Sequence, residues 1–129
     1  MDSSRFVVQE HTTPDDVHWD LMLEQEGSLL TFRLPVPPAQ AASARTTATK
    51  IPNHPLRFLT YEGPVQNNTG RVRLADRGDL QIQRQTDAEI AFTLQGQILR
   101  GVFTLTRVEN AEWNLTPTCH PHPSMEKPA

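Results

Sequence analysis

Apolar residues in this chain recur at every second position in short runs, and nowhere at helical spacing over three turns. The clearest run is Val17-His18-Trp19-Asp20-Leu21-Met22-Leu23-Glu24. Side chains of a strand alternate between its faces, so Val17, Trp19, Leu21 and Leu23 form a core face, and His18, Asp20, Met22 and Glu24 a second one. Phe6-Val7-Val8-Gln9 opens an earlier strand, and Glu26-Gly27 reads as a tight turn that brings residues 28–34 back as a hairpin partner. Pro35, Pro37 and Pro38 lack backbone donors and end that strand. Residues 39–50 are small and polar, which predicts a mobile loop with room for a short helical turn.

Further along, residues 56–61 read as a strand and residues 62–69 as a polar loop of turn formers. Gly70-Arg71-Val72-Arg73-Leu74-Ala75 alternates again, Asp76-Arg77-Gly78-Asp79 supplies a turn, and Leu80-Gln81-Ile82, residues 90–94 and residues 102–105 follow as short strands before Trp113-Asn114-Leu115. Strands this short and evenly spaced favour a small barrel or sandwich over a helical fold.

With 129 residues, 36% of them hydrophobic, the chain fits one domain, here residues 5–115. Residues 116–129 (TPTCHPHPSMEKPA) are proline-rich, which predicts a disordered tail. Its Cys119 is the only cysteine and is expected as a free thiol, while His120 and His122 offer at most weak metal ligation there. No signal-peptide pattern and no apolar run of membrane-spanning length is present, so a cytoplasmic protein without membrane contact is expected. A net charge of −3 argues against coating long nucleic acid, which requires many phosphates to be neutralised at once. Recognition of a single strand end needs only local positive charge, and Arg71, Arg73, Arg77 and Arg84 fall close together in the chain.

Alternation puts the His18 imidazole and the Asp20 carboxylate on one face, with Trp19 turned inward. His11 reaches the same spot if residues 12–16 loop back to pair the strands. Two imidazoles and a carboxylate suit a divalent transition metal with open coordination positions. The spacing H-x(6)-H-x-D fits a solvated strand face equally well. His54, inside Pro52-Asn53-His54-Pro55, suits either a general acid–base group or a surface histidine in a rigid turn.

Several stretches of the chain then combine. Phe6-Val7-Val8-Gln9-Glu10-His11, His18-Trp19-Asp20-Leu21-Met22-Leu23-Glu24, Asn53-His54-Pro55-Leu56, Tyr61-Glu62-Gly63, Asp76-Arg77-Gly78, and the closing pattern from Phe92 through Gly96, Gly101 and Phe103 to Trp113-Asn114-Leu115 occur in an order that resembles the 3′-phosphoesterase domain of bacterial DNA ligase D. The resemblance spans about Arg5 to Leu115 and implies an all-β fold, a small closed or partly open β-barrel of short, mostly antiparallel strands. It also implies a manganese-dependent enzyme, or one using another divalent metal such as zinc, that trims nucleic-acid 3′ ends in non-homologous end joining. A terminal ribonucleoside and a 3′-phosphate would be its targets, and a DNA ligase or polymerase its partner. By position, His11, His18 and Asp20 would ligate the metal, with Gln9 supporting them. His54 would contact or protonate the phosphate, and His11 shares in the catalytic set.

This chain differs from the family pattern at two site positions and in one spacing. Met22 stands where the family has arginine in H-Y-D-F-R, and Phe58 where it has a tyrosine. The interval from His11 to His18 is one residue longer. A thioether cannot fork hydrogen bonds onto a phosphate, so Arg33, Arg71 and Arg73 are the candidates to supply the guanidinium, and Met22 is expected to fill space against residues 39–50. Two other functions fit the residues: a non-catalytic module that binds metal or a strand end, and a phosphoesterase for a small phosphorylated molecule.

Overall fold

The computed structural model describes residues 4–65 and 70–118. Its strands are β1 (Ser4–Thr12), β2 (Val17–Gln25), β3 (Ser28–Leu34), β4 (Thr46–His54), β5 (Gly63–Pro64), β6 (Arg71–Gln85), β7 (Glu89–Gln95), β8 (Arg100–Glu109) and β9 (Glu112–Pro117), with one short helix, α1 (Pro38–Ala41), and a 3-10 turn at Leu56–Leu59. The sheet order is β1-β2-β3-β4-β9-β8-β7-β6-β5, and β1 also pairs with β6, so eight strands close into an antiparallel barrel with β5 outside it. The all-β barrel expected from the sequence is thus present. Among the described residues, no helix is long and apolar enough to cross a membrane.

A barrel of eight strands has an interior just wide enough for side chains to fill. Here Phe6, Val8, Leu21, Leu23, Phe32, Leu80, Phe92, Phe103 and Leu115 fill it. Trp113 meets Phe32 edge-on at 5.3 Å between ring centroids, a favoured quadrupole arrangement. The β2–β3 turn takes positive φ at Glu26 (52°) and Gly27 (83°), as a two-residue hairpin turn requires.

Two bulges set which side chains face outward. Val8 pairs with Asp76 and Gln9 with Leu74, leaving Ala75 as an extra residue in β6. Leu29 pairs with His54 and Thr31 with Ile51, so β4 carries an extra residue at Pro52 or Asn53. Each insertion reverses the alternation beyond it. Val72 and Leu74 therefore share the outer face with Gln9 and His11, whereas beyond Ala75 it is Arg77 that lies outward, opposite Val7.

Several local expectations are corrected. Residues 39–50 are not a mobile loop: α1 is followed by β4, whose Ala48 is fully buried opposite Trp113. Residues 56–61 are not a strand: Leu56–Leu59 form the 3-10 turn, and Leu59 and Phe58 pack over the outside of the barrel. Asp76-Arg77-Gly78-Asp79 is the middle of β6 and not a turn. The buried Asp76 carboxylate accepts the backbone N–H groups of Arg77, Gln97, Ile98 and Leu99, the last at 2.7 Å. At Gly78 a Cβ would lie 2.0 Å from the Gln95 carbonyl oxygen. Turn-forming residue types thus serve a close crossing between β6 and the β7–β8 connection. Residues 63–64 of the expected polar loop pair with β6, and Thr116 and Pro117, assigned above to the tail, complete β9. Cys119, His120 and His122 lie outside the described residues.

Removing the Asp76 carboxylate leaves the buried Leu99 N–H and three partly buried N–H groups without their acceptor. Asp76→Ala is expected to cost about 3 kcal/mol, since each orphaned buried donor loses on the order of 1–3 kcal/mol. Urea denaturation measures this, and a loss below about 1 kcal/mol would contradict the clamp.

Candidate metal centre

The site stands on the outer wall of the barrel. Directly paired residues of neighbouring strands share a face, and the β1–β2 register pairs His11 with His18, Gln9 with Asp20 and Val7 with Met22. The next strand sets Arg33 beside Asp20 and Thr31 beside Met22. One face thus runs from a polar end (His11, His18, Asp20, Arg33) to an apolar end (Val7, Met22, Leu29). Residues 55–65 cross over the apolar end, where Leu59 and Phe58 join Val7, Met22, Leu29 and Leu74 in a second, external core. Met22 is fully buried there, so it fills space against the 3-10 turn and not, as expected, against residues 39–50.

At the polar end the hairpin closes through a hydrogen bond from the Thr13 N–H to the Asp16 carbonyl at 2.8 Å. This brings His11 Nδ1 to 3.1 Å from His18 Nε2, and His18 Nε2 lies 3.8 Å from Asp20 Oδ2. One donor atom from each of His11, His18 and Asp20 falls within 4.8 Å of the others. Donors held about 2.1 Å from a shared cation stand roughly 3.0–3.5 Å apart along the edges of its coordination shell. The imidazole pair has that spacing, and the carboxylate stands slightly beyond it. The other ring nitrogen, His11 Nε2, faces Gly70 rather than His18 and is buried without a hydrogen-bond partner among the described residues. Gly70, with φ of 136°, makes room for this ring: a Cβ there would sit 3.0 Å from His11 Nε2 and 2.3 Å from the Thr12 carbonyl oxygen.

The Asp20 carboxylate divides its oxygens. Oδ1 accepts from Arg33 Nε at 3.1 Å, and Oδ2 faces His18. Burial lowers the His18 pKa from 6.5; Asp20 opposes the shift, while Arg33 and His11 add to it. A neutral imidazole is the form that ligates a metal.

His54 ends β4 and projects back over β3. Its Nδ1 lies 3.0 Å from the Pro52 carbonyl oxygen and 3.1 Å from Thr31 Oγ1, while that hydroxyl donates to the Leu29 carbonyl at 2.9 Å. This network assigns the proton to Nδ1 and leaves Nε2 as the free, basic nitrogen. Phe58 meets the ring edge-on at 5.5 Å. Gln9, only 2% exposed, donates from Nε2 to the carbonyls of Phe58 and Tyr61, both at 3.1 Å. Its amide nitrogen therefore anchors the covering segment rather than the histidines.

Of the three candidate arginines, the structure brings Arg33 to the site. Arg71 and Arg73 pair with Thr12 and Glu10, positions that alternate with His11, and so lie on the other side of the sheet. Arg73 is engaged there by Glu10. Thr31 was not among the residues singled out in the sequence. Its place in the alternation Leu29, Thr31, Arg33 was the only signal, and a buried threonine in a strand attracts no notice.

Fold and site together define a small β-barrel with a histidine–carboxylate cluster of metal-ligating composition on its outer wall. The chain belongs to the DNA ligase D 3′-phosphoesterase domain family, whose model matches residues 9–107. It is 28% identical over 119 residues to the multifunctional non-homologous end joining DNA repair protein LigD of Mycobacterium tuberculosis (strain CDC 1551 / Oshkosh), covering 87% of this chain and 16% of that protein. Its identity to the LigD protein of Mycolicibacterium smegmatis is 24% over 125 residues, covering 86% of this chain and 16% of that protein. To the LigD protein of Pseudomonas aeruginosa PAO1 it is 27% over 123 residues, covering 86% and 14% respectively. The chain thus spans about a sixth of the length of these relatives.

Two outcomes test this geometry. Gln9→Ala is expected to free the covering segment, raising hydrogen exchange at residues 56–61 while the barrel strands keep their protection, at a cost of roughly 1–3 kcal/mol. Unchanged exchange there would show the anchor to be idle. In metal-free protein, the His18 ring is expected to titrate below 6.5 by NMR. The unfolded chain then takes up that proton first, so stability declines as pH falls through the ordinary histidine range. A midpoint above 6.5 would contradict the burial effect.

Proposed function

We propose that this domain is a metal-dependent phosphoesterase acting on DNA or RNA 3′ ends, as a 3′-phosphatase or 3′-ribonuclease, in end-joining repair. The observation that carries the reading is the convergence of His11, His18 and Asp20 in a chain of this family. These three side chains would hold a divalent cation, Mn2+ or another such as Zn2+. When bound, it supplies Lewis-acid polarisation of a phosphoryl oxygen and lowers the pKa of a water.

The remaining roles fall to this chain's own groups. Arg33 is anchored to Asp20 through Nε, and no partner of its two terminal amino groups is recorded among the described residues. They supply the paired donors a phosphate takes, one strand away from Met22, where the family has arginine. His54 presents Nε2, with Nδ1 held by Pro52 and Thr31, and in its protonated form passes a proton to the leaving oxygen. Phe58 of the external core packs edge-on against His54, and Met22 and Thr31 lie between His54 and Asp20 on the same face.

A second reading, a module that binds metal or a strand end without turnover, is favoured by Met22 itself. Its full burial leaves no cation at that position.

The test is incubation of the protein and Mn2+ with a primer ending in 3′-phosphate or one ribonucleotide, beside metal analysis. Wild type is expected to trim both ends, His11→Ala, His18→Ala and Asp20→Ala to lose bound metal and activity, and His54→Ala to keep the metal but slow by about 10²-fold or more. Bound metal with both primers intact would select the second reading, and activity retained by His18→Ala would end the first.

A further inference from the structure

We propose a second anion-binding site, separate from the histidine cluster, that grips the phosphodiester backbone of the strand whose end the cluster receives. It deepens the reading above and rests on it for the identity of that strand. The site is an open cavity of about 660 Å³ on the same outer wall, lined among others by Arg5, Arg77, Arg100, Asp79, Leu59 and Thr60. Three of its lining residues are guanidinium-bearing and one is a carboxylate, in a chain whose net charge is −3. Positive charge is thus concentrated here against the trend of the molecule, which is what local phosphate recognition needs.

The arginines converge from parts of the chain with nothing in common locally. The extra residue Ala75 turns Arg77 outward, opposite Val7, and Arg5 lies two residues from Val7 on β1, opposite Asp79. Arg100 begins β8, and its Nη1 donates to the Gly96 carbonyl at 3.2 Å. That connection is itself fixed by Asp76, which accepts the N–H groups of Gln97 and Leu99. Glu24 Oε1 lies 3.5 Å from Arg5 Nε and accepts the Arg5 backbone N–H at 2.9 Å, whereas among the described residues neither Arg77 nor Arg100 forms a salt bridge.

Placement relative to the cluster selects the ligand. Val7 lines the cavity and His11 the cluster, four residues apart on β1, or about 13 Å at the usual rise of a strand. Leu59 and Thr60 of the covering segment also line the cavity. A small phosphorylated molecule does not span that distance. A polynucleotide does, with its end at the histidines, its chain over the covering segment and its internal phosphates on the arginines.

The test is fluorescence anisotropy of a 5′-labelled single-stranded oligonucleotide, run in chelator so that binding is read without turnover. Arg77→Ala/Arg100→Ala is expected to weaken binding about tenfold or more and to flatten the salt dependence by one to two phosphate contacts, at about −0.7 in log–log slope for each. Arg84→Ala/Arg107→Ala removes the same charge far from the cavity and is expected to leave affinity within about twofold, while Arg77→Lys/Arg100→Lys keeps most of the binding. Equal weakening by both alanine pairs, no weakening by the first, or no binding by wild type would overturn the proposal. Primer trimming measured in parallel separates the two claims. Trimming without arginine-dependent binding removes only the second site, and arginine-dependent binding by a protein that leaves ends intact removes only the phosphoesterase reading.

Discussion

The site depends on the register of β1. That strand is hydrogen-bonded along both edges, to β2 on one side and to β6 on the other, and closure of the barrel rests on the second pairing. A slip of one residue would turn Gln9 and His11 into the interior and Phe6 and Val8 out of it. Burial of those two apolar side chains therefore also fixes where the imidazoles meet. The large hydrophobic term that folds the barrel also positions this small polar cluster.

Packing on the outside of the wall is the second organising feature. A barrel face that would otherwise meet water is divided, with its apolar end roofed by residues 55–65 and its polar end open. Gln9 stands at the boundary and bonds the roof through its backbone carbonyls. The exchange of a guanidinium on β2 for one on β3 fits this division. Met22 joins the roofed part, whereas Arg33 stays at the open end beside Asp20, where its charge has both a partner and solvent.

Much of this was legible in the sequence and some was not, for physical reasons. The β1–β2 and β2–β3 hairpins are local and strictly alternating, so their faces and the neighbouring places of His18 and Asp20 could be read from spacing, whereas His11 joins them only because residues 12–16 turn the chain back. The bulges at Ala75 and at Pro52–Asn53 leave no compositional mark, yet they decide that Arg77 and His54 face outward while Arg71 and Arg73 do not. Asp76 and Gly78 are turn formers by type, and only the folded chain shows them used for a buried carboxylate clamp and a close backbone crossing. Residues 39–50 carry too few large side chains to announce a strand, because opposite Trp113 the barrel needs only the volume of Ala48. Leu56, Phe58 and Leu59 are apolar enough to suggest a strand, but Phe58 and Leu59 pack against the barrel exterior and Leu56 stays exposed.

The two apolar regions have consequences for how such a domain diversifies. One cluster fills the tube and sets global stability; the other, of six side chains, lies under the roof and touches the site. Substitutions in the roof can reshape the ground between His54 and the imidazole pair while the tube still folds. Drift in this family is therefore expected to accumulate at positions like 22 and 58, with the surface beside His54 changing faster than the architecture that carries it.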